Sequence, residues 1–389
     1  MDEWSRPAEL GEAPAAVSCS ASPCVKSIAM GVWHACAVLD DQSVLCWGYR
    51  SEGATGQPLP SGEKYVETPN VVAGVAAESV RAGGSNTCVR NGASVSCWGY
   101  VNRQDDEADP SLAASPEQLL TREVAQLVVA DRHICVLDDD GVPACYGAND
   151  FGQLGRQTPR PADYPPDLPE LGGYPSFEFL PAHSVSHVTR LDARSDVSCA
   201  IDWRGDVSCW GLGISGVLGF GEKQQQPEPV AIPELSDIVD LSVGDFHACA
   251  VNHAGDVSCW GKDISGSIGS PDENYFPPRQ VAGVSDAAQV ACSSTSSCVR
   301  TRTGEVWCWG SNTAGQLGSG SADDERHHTP APVEGVTDVV DLEAADGAFC
   351  ALKRSGAVLC WGSNSTAALG VGSTDDEPHA PASPSWPEP

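Results

Sequence analysis

The chain has 389 residues, of which 41% are apolar, while 40 glycines and 29 prolines imply many turns and little uninterrupted helix. With 22 basic against 53 acidic residues the formal charge is −31, so phosphate-rich partners are repelled over most of the surface and nucleic acid is not expected as a partner. No stretch approaches the roughly 18 apolar residues of a membrane span.

In chain order, residues 1–12 are acidic and rich in Pro and Ala, and read as a flexible leader. Cys19 and Cys24 follow; they close a small loop, or one of them captures Cys292. A unit of about fifty residues then recurs seven times. Each copy carries two cysteines nine or ten positions apart: Cys36 and Cys46, Cys88 and Cys97, Cys135 and Cys145, Cys199 and Cys209, Cys249 and Cys259, Cys298 and Cys308, Cys350 and Cys360. An aromatic-glycine pair follows the second cysteine, led by Trp47, Trp98, Tyr146, Trp210, Trp260, Trp309 and Trp361.

Between the cysteines the spacing predicts a hairpin. Cys249 opposite Cys259 puts Val251 opposite Val257 and leaves His253-Ala254-Gly255 as a three-residue loop, whose third position favours glycine because its φ is positive. Gly141, Gly205, Gly304 and Gly356 hold that position in four further copies. The second pair is one residue closer, and leaves the two-residue loop Gly92-Ala93, a type II′ signature. The turn changes type and the cysteines keep their register. The first copy has Asp40-Asp41-Gln42 and no glycine. Directly opposed residues in an antiparallel pair lie within disulfide reach, so a cross-strand disulfide is expected in every copy. Every copy has both cysteines and none has one, which pairing explains and independent thiol packing does not. Zinc is the poorer reading, since the short ligand spacings are absent.

A second glycine turn follows each aromatic pair, as in Gly152-Gln153-Leu154-Gly155 and Gly315-Gln316-Leu317-Gly318. Copy two has lost it, reading Gln104-Asp105-Asp106-Glu107. These glycines lack the lysine and hydroxyl of a phosphate loop, so no nucleotide or other cofactor is expected. Between copies three and four, the chain from Pro159 to Phe179 is a proline- and aromatic-rich insertion, either a binding loop or an ornament over a blade edge.

The last unit displays four strands: Pro330–Val333, Val339–Glu343, Phe349–Leu352 and Val358–Gly362. Four short antiparallel strands per repeat predict an all-β, seven-bladed β-propeller over residues 13–372, with the proline-containing segment opening each unit. Residues 373–389 form a Pro-rich tail. Asp375-Asp376-Glu377-Pro378-His379 echoes Asp323-Asp324-Glu325-Arg326-His327 and so starts a partial eighth repeat, which either pairs with the first blade or frays.

No catalytic constellation stands out. His34, His133 and His247 recur two positions before a first cysteine, as suits a structural hydrogen bond. His327-His328 beside Asp323, Asp324 and Glu325 offers metal-binding chemistry, with a solvated acidic loop as the plainer reading, and no metal is assigned. Trp203 lies at a hairpin tip and is the candidate partner contact.

Together, Gly-x-x-His (Gly31 to His34, Gly244 to His247), the turn glycine, Trp-Gly, Gly-Gln-Leu-Gly and a Pro/Val segment resemble the regulator of chromosome condensation repeat family. The resemblance runs from about residue 13 to 372. It implies a seven-bladed propeller used mainly to bind proteins.

Paired cysteines imply an oxidising compartment: outside the cell, the periplasm or the cell surface. The first residues, Met1-Asp2-Glu3-Trp4, contain neither a basic segment nor an apolar core of an export signal. The function expected is that of a non-enzymatic, monomeric propeller binding a protein of unknown identity. The alternatives are a glycan hydrolase or lyase acting through acidic loops, for which a pair of carboxylates in a concave pocket would speak, and a guanine-nucleotide exchange factor, which the cysteines disfavour.

Overall fold

A computed structural model of the chain describes residues 16–57, 63–100, 114–159, 173–221, 225–271 and 276–387. The leader 1–12, residues 160–172 of the insertion and copy two's altered turn at 104–107 lie outside them.

Seven four-stranded antiparallel sheets follow one another along the chain, each with its strands in sequence order. The blades comprise residues 25–76, 79–121, 126–181, 188–231, 238–280, 287–332 and 339–382, numbered 1 to 7 below. Contacts between the first strand of blade 1 and the first two strands of blade 7 close the ring.

In all seven blades the two cysteines face each other in register across the inner hairpin. Cys36 is bridged to Cys46, Cys88 to Cys97, Cys135 to Cys145 and Cys199 to Cys209. Cys249 is bridged to Cys259, Cys298 to Cys308 and Cys350 to Cys360. The paired Cα atoms are 4.0 to 4.1 Å apart throughout. Val251 faces Val257 as the spacing requires. The third loop glycine takes positive φ, +88° at Gly255, and in the first blade Gln42 occupies the same region at +69°. The Asp41 carboxylate braces that turn by accepting the Ser43 N–H at 2.9 Å. Cys19 and Cys24 are bridged to each other as well, and Cys292 is a free, buried thiol.

The assignment of strands to blades differs from the sequence reading. The proline-containing segment does not open a unit; it is the outer strand of the preceding blade. Asp323–Pro332 pairs with Val306–Asn312 in blade 6. A strand that leaves the Trp-Gly pair and turns back through a short glycine turn meets its own predecessor first, and the outer edge is where prolines cost no ladder bond. The same rule corrects the tail: Asp375–Ala382 is the outer strand of blade 7, paired with Val358–Asn364, and no eighth unit begins. Beyond it Trp386 packs edge-on against Trp47 of blade 1, with ring centroids 5.7 Å apart.

The seams between blades explain the recurrent motifs. Six tryptophans are fully buried, and each donates its indole N–H to a carbonyl in the second glycine turn of the blade before. Trp260 reaches Val217 O at 2.7 Å and Trp309 reaches Ser267 O at 2.8 Å; Trp47 closes the circle on Ala368 O at 2.8 Å. Each repeat histidine bonds a hydroxyl of the next blade. His34 meets Thr87, His133 meets Ser198 and His247 meets Ser297, all at 2.7 Å. Burial holds these imidazoles neutral, with pKa values lowered to about 4, 3 and 4. The glycine after each tryptophan is forced by close approach: at Gly48, with φ +110°, a Cβ would lie 2.5 Å from the His34 Cα.

Candidate functional site

The innermost strands surround a central channel containing a cavity of about 150 Å³. Residues on alternate positions of a strand share one face, and the inner strands of blades 2 to 7 send polar side chains to the axis. Most of these reach the backbone of the next blade. The Gln126 amide both accepts from Leu191 N–H and donates to Leu191 O at 2.8 Å. Asp192 accepts from Val243 N–H, and Asp240 from Val290 N–H, each at 2.7 Å. Gln289 accepts from Leu342 N–H at 3.1 Å, and Glu343 accepts from Met30 across the closing seam. The result is a belt of side-chain to backbone bonds around the axis.

Burial dominates the chemistry of this belt. It pushes Asp192 up to about 6 and Glu343 up to about 8, the latter raised further by Asp341 and opposed by Arg81. Asp240 is raised by burial too, against the pull of the Arg190 guanidinium that pairs with it. At one mouth Arg194 crosses the axis. Its Nε donates to Asp245 at 3.0 Å and Nη1 approaches Ala344 O of blade 7 at 3.5 Å. That pairing holds Asp245 down at about 2 against the cost of burial. The channel therefore does hold several carboxylates in a concavity. They are committed to backbone donors, however, and the space is below the roughly 300 Å³ at which ligand pockets begin.

The two rims of the ring differ. First strands run toward one rim and second strands away from it, so the Gly-x-x-His turns and the second glycine turns share a rim. The cysteine hairpin tips form the opposite rim. Trp203 stands there, 40% exposed, with the Arg204 guanidinium 4.9 Å from its ring centre. The candidate contact chosen from the sequence is thus on the side away from the Gly-x-x-His and second glycine turns.

On the turn-bearing rim the sequence reading passed over Trp33, the residue before His34. It is 39% exposed and packs edge-on against Tyr49 at 6.2 Å, and Tyr49 in turn contacts Tyr65 at 5.5 Å. Tyr100 adds a further half-exposed ring on blade 2. The signal available was positional, since the residue three positions before the first cysteine, which precedes His34 and its equivalents, varies freely: Trp33, Ser85, Arg132, Asp196, Phe246, Thr295 and Gly347 in the seven copies. Arg132 is held between Asp150 and Asp196 at 2.7 and 2.8 Å.

The remaining sequence candidates are structural. His327 Nε2 donates to the Asp323 carboxylate at 2.7 Å, and Asn312 donates to the same carboxylate at 2.6 Å, within a strand and not in a loop. His379, Asp375 and Asn364 repeat the arrangement in blade 7. Burial pushes the Cys292 thiol up to about 12, although Ser297 and Ser242 bond it. Phe177 and Phe179 of the insertion lie in the outer strand Ser176–Pro181 and pack on Tyr146 at 5.8 and 5.3 Å.

Comparison with known proteins agrees with this architecture. Residues 102–388 match the family described as RCC1-like domain, and residues 25–54 match the regulator of chromosome condensation (RCC1) repeat. Probable E3 ubiquitin-protein ligase HERC4 from Homo sapiens is 30% identical over 220 residues, which are 54% of this chain and 19% of that protein. The chain thus spans about a fifth of the length of that curated relative. Yeast RCC1 (Prp20), solved with Kap60, superposes with a TM-score of 0.68 at 18% identity over 82% of this chain and 78% of that one. The CRINKLY WD40 ectodomain of the Arabidopsis thaliana receptor kinase ACR4 superposes at 0.50 with 16% identity over 92% and 96%. These structural likenesses establish the fold alone. Seven blades, the indole-to-turn seams and a family match over more than half of the chain lead to one assignment: the chain belongs to the RCC1-like domain family.

Proposed function

We propose that this chain is a non-catalytic, monomeric protein-binding propeller that works in an oxidising compartment, outside the cell, in the periplasm or at its surface, and that it meets its partner with the turn-bearing rim. The observation that carries this reading is a disulfide in each of the seven blades, since bridges of this number are formed and kept only where thiols are oxidised. A ring so stapled presents preorganised loops, which lowers the ordering cost of binding. Trp33 and Tyr100 give that rim the exposed aromatic anchors in which protein interfaces are enriched. Support by analogy comes from yeast RCC1, solved in complex with the protein Kap60, and from the ACR4 ring, which is an ectodomain. The belt carboxylates support a binding role over a hydrolytic one, because each is engaged in holding two blades together.

Two measurements test the reading. Alkylation in denaturant, without reductant, of the protein taken from its source, followed by mass spectrometry, is expected to label one cysteine of 17. A cytosolic pool with free thiols in the hairpins would overturn the compartment. Selection of binders by display on the oxidised ring is expected to return proteins that lose affinity for Trp33→Ala and keep it for Trp203→Ala. The reverse pattern would overturn the choice of rim, and failure to select any binder would overturn the binding role.

A further inference from the structure

At the hairpin-tip rim, the inner hairpins of blades 4, 6 and 7 are tied to the loop that leads into their own blade. The first residue of the hairpin loop donates its N–H to the residue before the first strand. Arg302 reaches Asp286 O at 2.9 Å in blade 6, Arg354 reaches Asp338 O at 2.8 Å in blade 7, and Trp203 reaches His187 O at 3.0 Å in blade 4. Asp286, Asp338 and His187 have φ of +62°, +62° and +57°, so the three junctions share one backbone. Their side chains differ. Arg302 latches its junction to the Asp286 carboxylate at 2.9 Å, and Arg354 latches its own to Asp338 at 3.4 Å. Blade 5 keeps an aspartate there, Asp237, opposite His253. Blade 4 places an indole and an imidazole in the two positions, and the ion pair is gone.

Beside this unlatched junction lies an open cleft of about 260 Å³, lined by Trp203, Arg204, Asp206, Ser184 and Ser208 together with His187. The loop that carries its wall is braced, since Asp202 Oδ1 accepts the Arg204 N–H at 2.8 Å and the Asp206 N–H at 3.0 Å. Unlike the belt carboxylates of the channel, the groups that face the cleft are uncommitted. Among the described residues Arg204 has no carboxylate in salt-bridge reach, and no hydrogen bond engages the side chains of Asp206, Ser184 or Ser208. A guanidinium that only donates, a carboxylate that only accepts and hydroxyls that do both thus stand around one aromatic residue.

We infer that this cleft binds one uncharged pyranose ring, a hexose or N-acetylhexosamine, with Trp203 against the C–H face of the sugar and Asp206, Arg204 and the serines on its hydroxyls. The site lies on the rim opposite the proposed protein contact and stands or falls independently of it. A pyranose presents an apolar C–H face and an edge of hydroxyls that both donate and accept, which is the complement of this lining. Charge decides against the competing small ligands. An anion would meet Asp202 and Asp206 for the one guanidinium of Arg204, and a cation would find Arg204 already 4.9 Å from the centre of the indole. The space is under the roughly 300 Å³ at which pockets for drug-sized ligands begin, which suits a single ring, and the open side lets a longer glycan continue into solvent.

The probes are glucose, galactose, mannose and N-acetylglucosamine, each as the free sugar and as the methyl glycoside, titrated into the oxidised full chain and followed by saturation-transfer NMR. At least one is expected to bind saturably. Tighter binding of a glycoside identifies a glycan unit and tighter binding of a free sugar identifies a soluble ligand; either supports the site. Affinity is expected to fall about tenfold in Trp203→Ala, which removes the stacking wall. It is expected to fall about threefold in Asp206→Asn, which keeps the shape and removes a charge-assisted acceptor. The double variant His187→Asp, Trp203→Arg installs the latch of blades 6 and 7 and is expected to abolish binding, whereas Trp33→Ala leaves it unchanged. Near-ultraviolet circular dichroism checks that each variant keeps its packing. Saturable binding of none of these sugars overturns the site, as does binding that is the same in Trp203→Ala and Asp206→Asn as in the parent chain. Inorganic phosphate that binds where the sugars do not, and binds more tightly in Asp206→Asn, would make the cleft an anion site and overturn the sugar reading.

Discussion

Blades 5 and 3 share one hairpin and differ in the seam that joins each to the blade before. In both, the cysteines face each other with Cα atoms 4.0 and 4.1 Å apart. In blade 5 the Trp260 indole is fully buried and donates to Val217 O in the second glycine turn of blade 4. In blade 3 the equivalent residue is Tyr146, and blade 2, before it, reads Gln104-Asp105-Asp106-Glu107 where the turn would be. The ring of Tyr146 instead packs on Phe177 and Phe179 of its own outer strand. Indole and turn are absent together at this seam. The hairpin is therefore a property of one blade, whereas the seam is a joint property of two.

The largest effect should come from the part that the two blades share. Each bridge closes a loop of nine or ten residues, nominally worth about 2 to 3 kcal/mol through the unfolded state, so full reduction should lower the melting temperature by well over about 10 °C. An unchanged calorimetric melt after reduction would show that the hairpins do not depend on their sulfurs.

Next in size is the part that differs. Trp260→Ala removes a fully buried indole and should cost about 3 to 5 kcal/mol in denaturant unfolding. Tyr146→Ala should cost about 1 kcal/mol less, because among the described residues its hydroxyl has no acceptor corresponding to the turn carbonyl. Equal costs would mean that the indole bond contributes nothing to the seam.

The belt should reveal itself as a pH dependence. The Glu343 carboxyl is raised from 4.5 to about 8 in the ring, first by burial and then by Asp341. Between these values the folded chain holds a proton that the unfolded chain has released, so this contribution to stability is full below about 4.5 and is lost as pH rises through about 8. The melting temperature should therefore fall across that window, and Glu343→Gln should flatten the fall. A variant with the parent slope would assign the titration to another group.

The smallest effect concerns Cys292. A buried thiol raised to about 12 should not react with a disulfide reagent at pH 8 in the native ring, and should react once in denaturant. Rapid native reactivity would mean that the blade 5 to blade 6 seam opens.

Much of the fold was legible because it is local. Cysteine spacing and the shift from a three- to a two-residue turn place strand neighbours opposite each other, and those neighbours are close in the chain. The site was harder to read. Trp203 could be picked because a hairpin tip is visible in a sequence, but nothing there says which rim carries the other exposed rings. Trp33 was hidden in a turn whose histidine drew attention.

The repeat, the cross-strand register and the pairing of the hairpin cysteines were settled by the amino-acid order alone, since a period of two and a turn of known length allow one alignment. Tertiary structure decided which blade owns each proline-bearing strand, that Asp375–Ala382 completes blade 7, that Cys19 pairs with Cys24 and leaves Cys292 alone, and that Arg194 pairs with Asp245 of the next blade while reaching across the axis toward Ala344 O. Those outcomes depend on contacts between residues from different blades, and a hydrophobic or charge pattern along one strand carries no record of what a neighbouring blade will place beside it.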